Sequence, residues 1–77
     1  MGATIQIQFY GSLRALRPPD AKSYPVDPGA TVGEVLHDLA IPASRVHLTF
    51  LNGVKVDPAA PVREGDVLAL FPQLGGG

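Results

Sequence analysis

Polar and apolar residues alternate from Thr4 to Phe9, which predicts a half-buried strand with Ile5, Ile7 and Phe9 on its covered face. Gly11-Ser12 interrupts it, and Leu13 to Arg17 predict a short helical turn before Pro18-Pro19. Residues 22–26, carrying Tyr24 and Val26, predict a second, shorter strand antiparallel to the first. Pro25 places one side of it at a sheet edge or a bulge. Thr31-Val32-Gly33-Glu34 has the form of a capping box. Behind it Val32, Val35, Leu36 and Leu39 recur at helical spacing, predicting a helix of about ten residues that Pro42 stops. Val46 to Leu51 predict a third strand, and Asn52-Gly53 turns it back through Val54-Lys55-Val56. A loop from Asp57 to Pro61 and a turn at Glu64-Gly65-Asp66 lead into Val67 to Phe71. That run is continuously apolar, as in a central strand covered on both sides or set beside a partner surface.

One helix cannot bury its stripe alone, and a small twisted sheet needs one face covered. The stripe therefore packs on the inner face of the strands. The first and last strands, the most apolar, lie side by side at the sheet centre. This is an α+β arrangement, a ubiquitin-like β-grasp with a mixed sheet of four to five strands and one main helix. The domain is expected over residues 1–72, with residues 73–77 as a flexible glycine tail.

Composition narrows the function. In 77 residues, 45% are hydrophobic and 17% charged, which excludes a disordered charged tail. The net charge of −1, from six Lys+Arg against seven Asp+Glu, argues against nucleic acid as partner. Cysteine is absent, so disulfides, thiolate zinc sites and a cysteine nucleophile are excluded. No signal peptide, myristoylation site (Gln6 stands where Ser or Thr is wanted) or membrane span is visible, and a cytoplasmic protein is expected. His37 and His47 fall on different elements without acidic residues at ligand spacing, so no metal is expected. Ser12, Ser23 and Ser44 have no evident base, and the glycines mark turns rather than a phosphate loop. The chain is not expected to be an enzyme on its own. Asp57, Glu64 and Asp66 read either as solvated turn residues or as a negative rim for a basic partner.

The run Phe71-Pro72-Gln73-Leu74-Gly75-Gly76-Gly77 is unusual. Pro72 cannot donate to a ladder, so regular pairing should end there. Five further residues, extended, reach roughly 17 Å. Glycine lacks a Cβ, so such a tail threads a narrow channel and leaves its carboxylate open to attack. A carboxylate becomes an electrophile once it is a mixed anhydride, for example with AMP. A sulfur donor then replaces one oxygen and leaves a thiocarboxylate. The other reading is a Gly-rich tail without a role. Phe71 likewise reads as an interface anchor or as ordinary core packing.

The segment Glu64 to Gly77 resembles the end of the MoaD/ThiS family of ubiquitin-like sulfur carriers, and within it the carriers of molybdopterin synthase (MoaD). Ile7 to Leu16 is similar to that family's first strand and following small helix, and the Thr31 capping box and Asn52 turn fall where the family has them. The resemblance implies that an E1-like adenylating enzyme of the MoeB/ThiF type uses ATP to adenylate Gly77, before sulfur transfer gives a thiocarboxylate. Gly76 and Gly77 match the family's terminal diglycine. Gly75 adds a third glycine to the tail. Phe71, Pro72 and Tyr10 match partner-contact positions. It further implies that the tail enters the large subunit of molybdopterin synthase (MoaE type), which converts precursor Z to molybdopterin. This chain itself binds no cofactor in that scheme. Gln73 stands where the family commonly has a second proline, and Lys55 near a position often apolar in molybdopterin carriers. The alternatives are carriers for thiamine, cysteine or tungsten-pterin pathways, a ubiquitin-like modifier, or a non-covalent adaptor.

Overall fold

The computed structural model describes residues 2–72; the expected tail, residues 73–77, lies outside them. Five strands form one sheet: β1 (Ala3–Phe9), β2 (Tyr24–Val26), β3 (Val46–Leu51), β4 (Val54–Val56) and β5 (Val67–Pro72), in the order β2-β1-β5-β3-β4. β1 and β5 run parallel at the centre, and every other pairing is antiparallel. The helix α1 (Val32–Asp38) covers one face. This is a β-grasp. The core joins Ile5, Ile7 and Phe9 of β1, Leu68 and Leu70 of β5, and Val32, Val35 and Leu36 of α1. No described helix is long and apolar enough to cross a membrane.

The start of β2 and the end of the helix differ from the sequence reading, each for a local reason. β2 begins at Tyr24 rather than Lys22, because Ala21–Ser23 coil into a 3-10 turn that buries Ala21 completely. The helix is seven residues long rather than about ten, and it ends before Pro42 can act. Ala40 takes a left-handed conformation (φ 58°), its N–H donating to the His37 carbonyl at 3.0 Å and the Ile41 N–H to Leu36 at 3.0 Å. That crossed pair closes the helix as a Schellman motif, with Leu36 and Ile41 buried beside it. For β5 the sequence left two arrangements open, and the structure covers it on one face only. Leu68 and Leu70 are fully buried, whereas Val67, Ala69 and Phe71 on the other face are half-buried.

Alanine bears a steric penalty at the left-handed position that glycine lacks. Ala40→Gly is therefore expected to stabilise the domain by about 0.5–1 kcal/mol, read as a higher urea midpoint at unchanged slope.

The capping box forms as the sequence predicts. The Glu34 N–H donates to Thr31 Oγ1 at 3.2 Å, and the Thr31 N–H donates to Glu34 Oε1 at 2.9 Å. The acidic residues near the end of the chain serve turns. Glu64 accepts from the Thr4 N–H at 3.0 Å and the Thr4 hydroxyl at 3.1 Å, tying the turn before β5 to the start of β1. Asp66 accepts from Asn52 Nδ2 at 2.9 Å and the Arg63 N–H at 2.8 Å. Asp57 accepts from the Ala59 N–H at 2.8 Å. Asn52 also accepts the Val67 N–H at 2.9 Å, so the β3–β4 turn and the start of β5 are fixed together.

Candidate docking face and root of the tail

Strand alternation decides what β5 offers on its two faces. With Leu68 and Leu70 committed to the core, Phe71 stands on the face that α1 leaves open. There it stacks on Tyr10, ring centroids 4.5 Å apart and planes within 1°. Phe50 meets the same ring edge-on at 5.4 Å and 75°. Register explains the meeting: Leu48 is opposite Phe71 and Phe50 opposite Ala69, so β3 sets two apolar residues on the same open face. The Tyr10 hydroxyl donates to Gln8 Oε1 at 2.9 Å, which holds the ring flat against its neighbour. Tyr10 remains 40% exposed and Phe71 half-buried, an aromatic surface with one polar handle. Lys55, opposite Phe50 on β4, adds an exposed cation at the side of this face.

Pro72 ends the described chain differently. It is buried, and it closes β5 as the partner of Val46. Gly11 faces its ring: a β-carbon there would come within 2.7 Å of Pro72 Cγ, and Gly11 has φ 57°. The turn after β1 therefore needs glycine for both space and backbone conformation. Of the three partner-contact positions taken from the family resemblance, Tyr10 and Phe71 lie together on the surface, and Pro72 is buried. Gly75, Gly76 and Gly77 lie outside the described residues.

Among the described residues, no group of three or more His, Asp or Glu side chains is placed to hold a metal ion. His37 and His47 are both exposed, on the helix and on β3. The N–H groups that open α1 are already used, Val32 bonding to Ala60 O at 2.9 Å and Gly33 to Pro58 O at 2.9 Å.

The family model for ThiS matches residues 7–77. The chain belongs to the ThiS family. Among solved structures it is similar to small archaeal modifier protein 1 of Haloferax volcanii, with 30% identity, a TM-score of 0.71, and 95% of this chain covering 100% of that one. It is also similar to the thiamine biosynthesis protein ThiS of Geobacter metallireducens, at 24% identity and a TM-score of 0.60 over the full length of both. A Pyrococcus furiosus protein described as a candidate molybdopterin converting factor, subunit 1, shares the fold at 15% identity and a TM-score of 0.66, with 94% of this chain covering 99% of that one. No curated protein matches in sequence. The ThiS-family chain thus has the fold that ThiS/MoaD-like sulfur carriers share with ubiquitin-like modifiers.

Sequence reading alone did not bring Phe50, Leu48, Gln8 or Gly11 to this site. The signal for two of them was present: alternation along Val46–Leu51 puts Leu48 and Phe50 on one face, opposite to Thr49. Thr49 is buried and donates to Val56 O at 2.7 Å, which settles which face is which.

Proposed function

We propose that this chain is a sulfur carrier that works through the carboxylate of Gly77. The observation that carries the reading is the family match, which continues past the described residues through the glycines to residue 77. The aromatic face supports it, since Phe71 and Tyr10 offer an adenylating partner a docking surface within two residues of where the tail begins. In the first step a Gly77 carboxylate oxygen attacks the α-phosphorus of ATP held by an E1-like enzyme, and pyrophosphate leaves. Hydrosulfide then attacks the carbonyl carbon of the acyl-adenylate. AMP leaves with the original oxygen, and a thiocarboxylate remains. ATP is a substrate of the partner, and this chain contributes no catalytic side chain.

The destination we propose is the large subunit of molybdopterin synthase, with the carrier as its small subunit. A second reading has a specific observation behind it: the 30% identity to a small archaeal modifier protein. As a modifier, the same acyl-adenylate would pass to a lysine amine of another protein.

The test is a reconstitution with an E1-like enzyme from the same genome, ATP and sulfide, read by intact mass. The full chain is expected to gain one sulfur in place of one oxygen, and a chain lacking Gly76-Gly77 is expected to stay unchanged. Absence of any ATP-dependent change in the full chain would overturn the carrier reading. Molybdopterin formed from precursor Z on adding the large subunit would support the proposed destination, whereas tail-dependent conjugates on lysines in extract would support the modifier.

A further inference from the structure

Two buried side chains decide where three cations of the chain stand. Leu13 and Ala21 are wholly buried and join the 3-10 turns Gly11–Leu16 and Ala21–Ser23 to the core. Arg14 follows the first of them and Lys22 the second, and both are exposed. Arg17 comes one 3-10 turn after Arg14, its N–H donating to the Arg14 carbonyl at 3.3 Å, and is exposed as well. The three cations border a groove of about 580 Å³ together with Gln6, Gln8 and Tyr10. Those three alternate with the buried Ile5, Ile7 and Phe9, so they stand on the open face of the sheet.

The groove is one-sided in charge. Among the described residues no Asp or Glu lines it, and Asp20, in the loop between Arg17 and Lys22, is outside the lining. Asp27, Glu34 and Asp38 line a separate cleft beside α1, while Asp57, Glu64 and Asp66 are engaged in turns. Tyr10 belongs to two surfaces, since it lines the groove and stacks on Phe71. A partner seated on the aromatic face therefore also stands over the cations. Apolar surface laid over them would strip their water and put nothing in its place. Carboxylates would replace that water with charge-assisted hydrogen bonds, which arginine makes in pairs. A second copy laid face to face would set the same cations against each other.

We infer that the partner's docking surface carries carboxylates beside the apolar patch that receives Phe71 and Tyr10, and that Arg14, Arg17 and Lys22 select the partner by pairing with them. The inference rests on the reading that an E1-like enzyme docks on the aromatic face, and it adds the chemistry by which that enzyme is told from other apolar surfaces. The two parts of the surface divide the work by their exposure. The aromatic centre holds the complex, and the exposed cations at its border steer and orient the encounter, which makes their effect sensitive to salt.

The test titrates the E1-like enzyme from the same genome into the full chain, labelled with fluorescein at its N-terminal amine, and reads anisotropy at low and at high salt. Arg14→Glu is expected to weaken binding by about fivefold at low salt, and Arg14→Glu with Arg17→Glu by about tenfold or more. Both losses should shrink at high salt, and Lys22→Glu should act in the same direction. Arg63→Glu reverses a charge in the turn before β5, outside the groove, and is expected to change binding by less than about twofold. Thermal unfolding of the variants should match the parent, and a loss that salt removes is a signature that a damaged fold would not give. Charge reversal in the groove that weakens binding no more than Arg63→Glu does, or a loss that persists in full at high salt, would overturn the inference. Phe71→Ala separates it from the docking reading. If Phe71→Ala binds weakly and the groove variants bind as the parent does, the aromatic face stands and this inference falls. If none of them is weakened, or the parent shows no saturable binding, both fall together. A single-stranded oligonucleotide that binds more tightly than the enzyme, and is lost in the same variants, would overturn it in favour of nucleic acid.

Discussion

Leu70→Ala is expected to unfold a large part of the population at physiological temperature. Leu70 is wholly buried in the central strand, between Phe9 of β1 and Thr49 of β3. Truncating such a side chain costs about 2–5 kcal/mol, because the close-packed surroundings collapse only in part. At ~0.05–0.15 kcal/mol per residue a chain of this size has about 4–12 kcal/mol in total, so one substitution removes much of it. Leu36→Ala should cost less, since Leu36 borders surface clefts between α1 and the β3–β4 side, and the space it leaves opens to water. Urea unfolding of the two variants side by side checks the order. A Leu70→Ala midpoint equal to that of the parent would mean that β5 is not the keystone of the core.

Phe71→Ala should do the reverse: leave the fold standing and abolish productive docking. The residue precedes Pro72, points away from the core, and shares its surface with Tyr10 and Phe50. Loss of the two aromatic contacts costs the fold about 0.5–1.5 kcal/mol each at most. At an interface, an aromatic anchor is worth about 2 kcal/mol or more, which is about thirtyfold in affinity. Thermal unfolding should therefore shift by a few degrees, while the rate of Gly77 adenylation at limiting carrier falls by more than tenfold. An unchanged rate would show that the partner grips another face. Phe71→Leu should recover part of the rate, which a purely structural defect would not predict.

The contrast between Leu70 and Phe71 shows how far the sequence could be read. Alternation in β1, the capping box at Thr31 and the Asn52-Gly53 turn are local signals, and each produced its element. Asn52 and Gly53 take φ of 54° and 84°, as a two-residue hairpin turn of this kind demands. The side-by-side placement of β1 and β5 followed from their being the most apolar runs. Five consecutive apolar residues from Val67 to Phe71, however, have no visible period, so the sequence left open whether β5 was covered on one face or both. Only register against β1 and β3 assigns Leu68 and Leu70 inward and Phe71 outward. The same holds for Glu64 and Thr4, which bond across 60 residues of chain, and for Gly11, whose need for space is set by Pro72. The left-handed Ala40 carries no sequence mark, because alanine is a strong helix former that ordinarily extends a helix.

The chemistry was legible for a different reason. The proposed chemistry depends on no tertiary arrangement: it was read from the run Gly75-Gly76-Gly77, which lies outside the described residues and inside the span of the family match. What the fold adds is the packing of Pro72 against Gly11 and, beside it, the surface on which Phe71 stacks with Tyr10.

The most direct measurement is the intact mass of the protein isolated from its own cells under gentle, non-reducing conditions, followed by fragmentation from the C-terminus. A fraction carrying one sulfur in place of one oxygen, localised to Gly77, is the result the carrier reading predicts. An unmodified mass in the isolated protein, together with no mass change on incubation with ATP, sulfide and the E1-like enzyme, would contradict it.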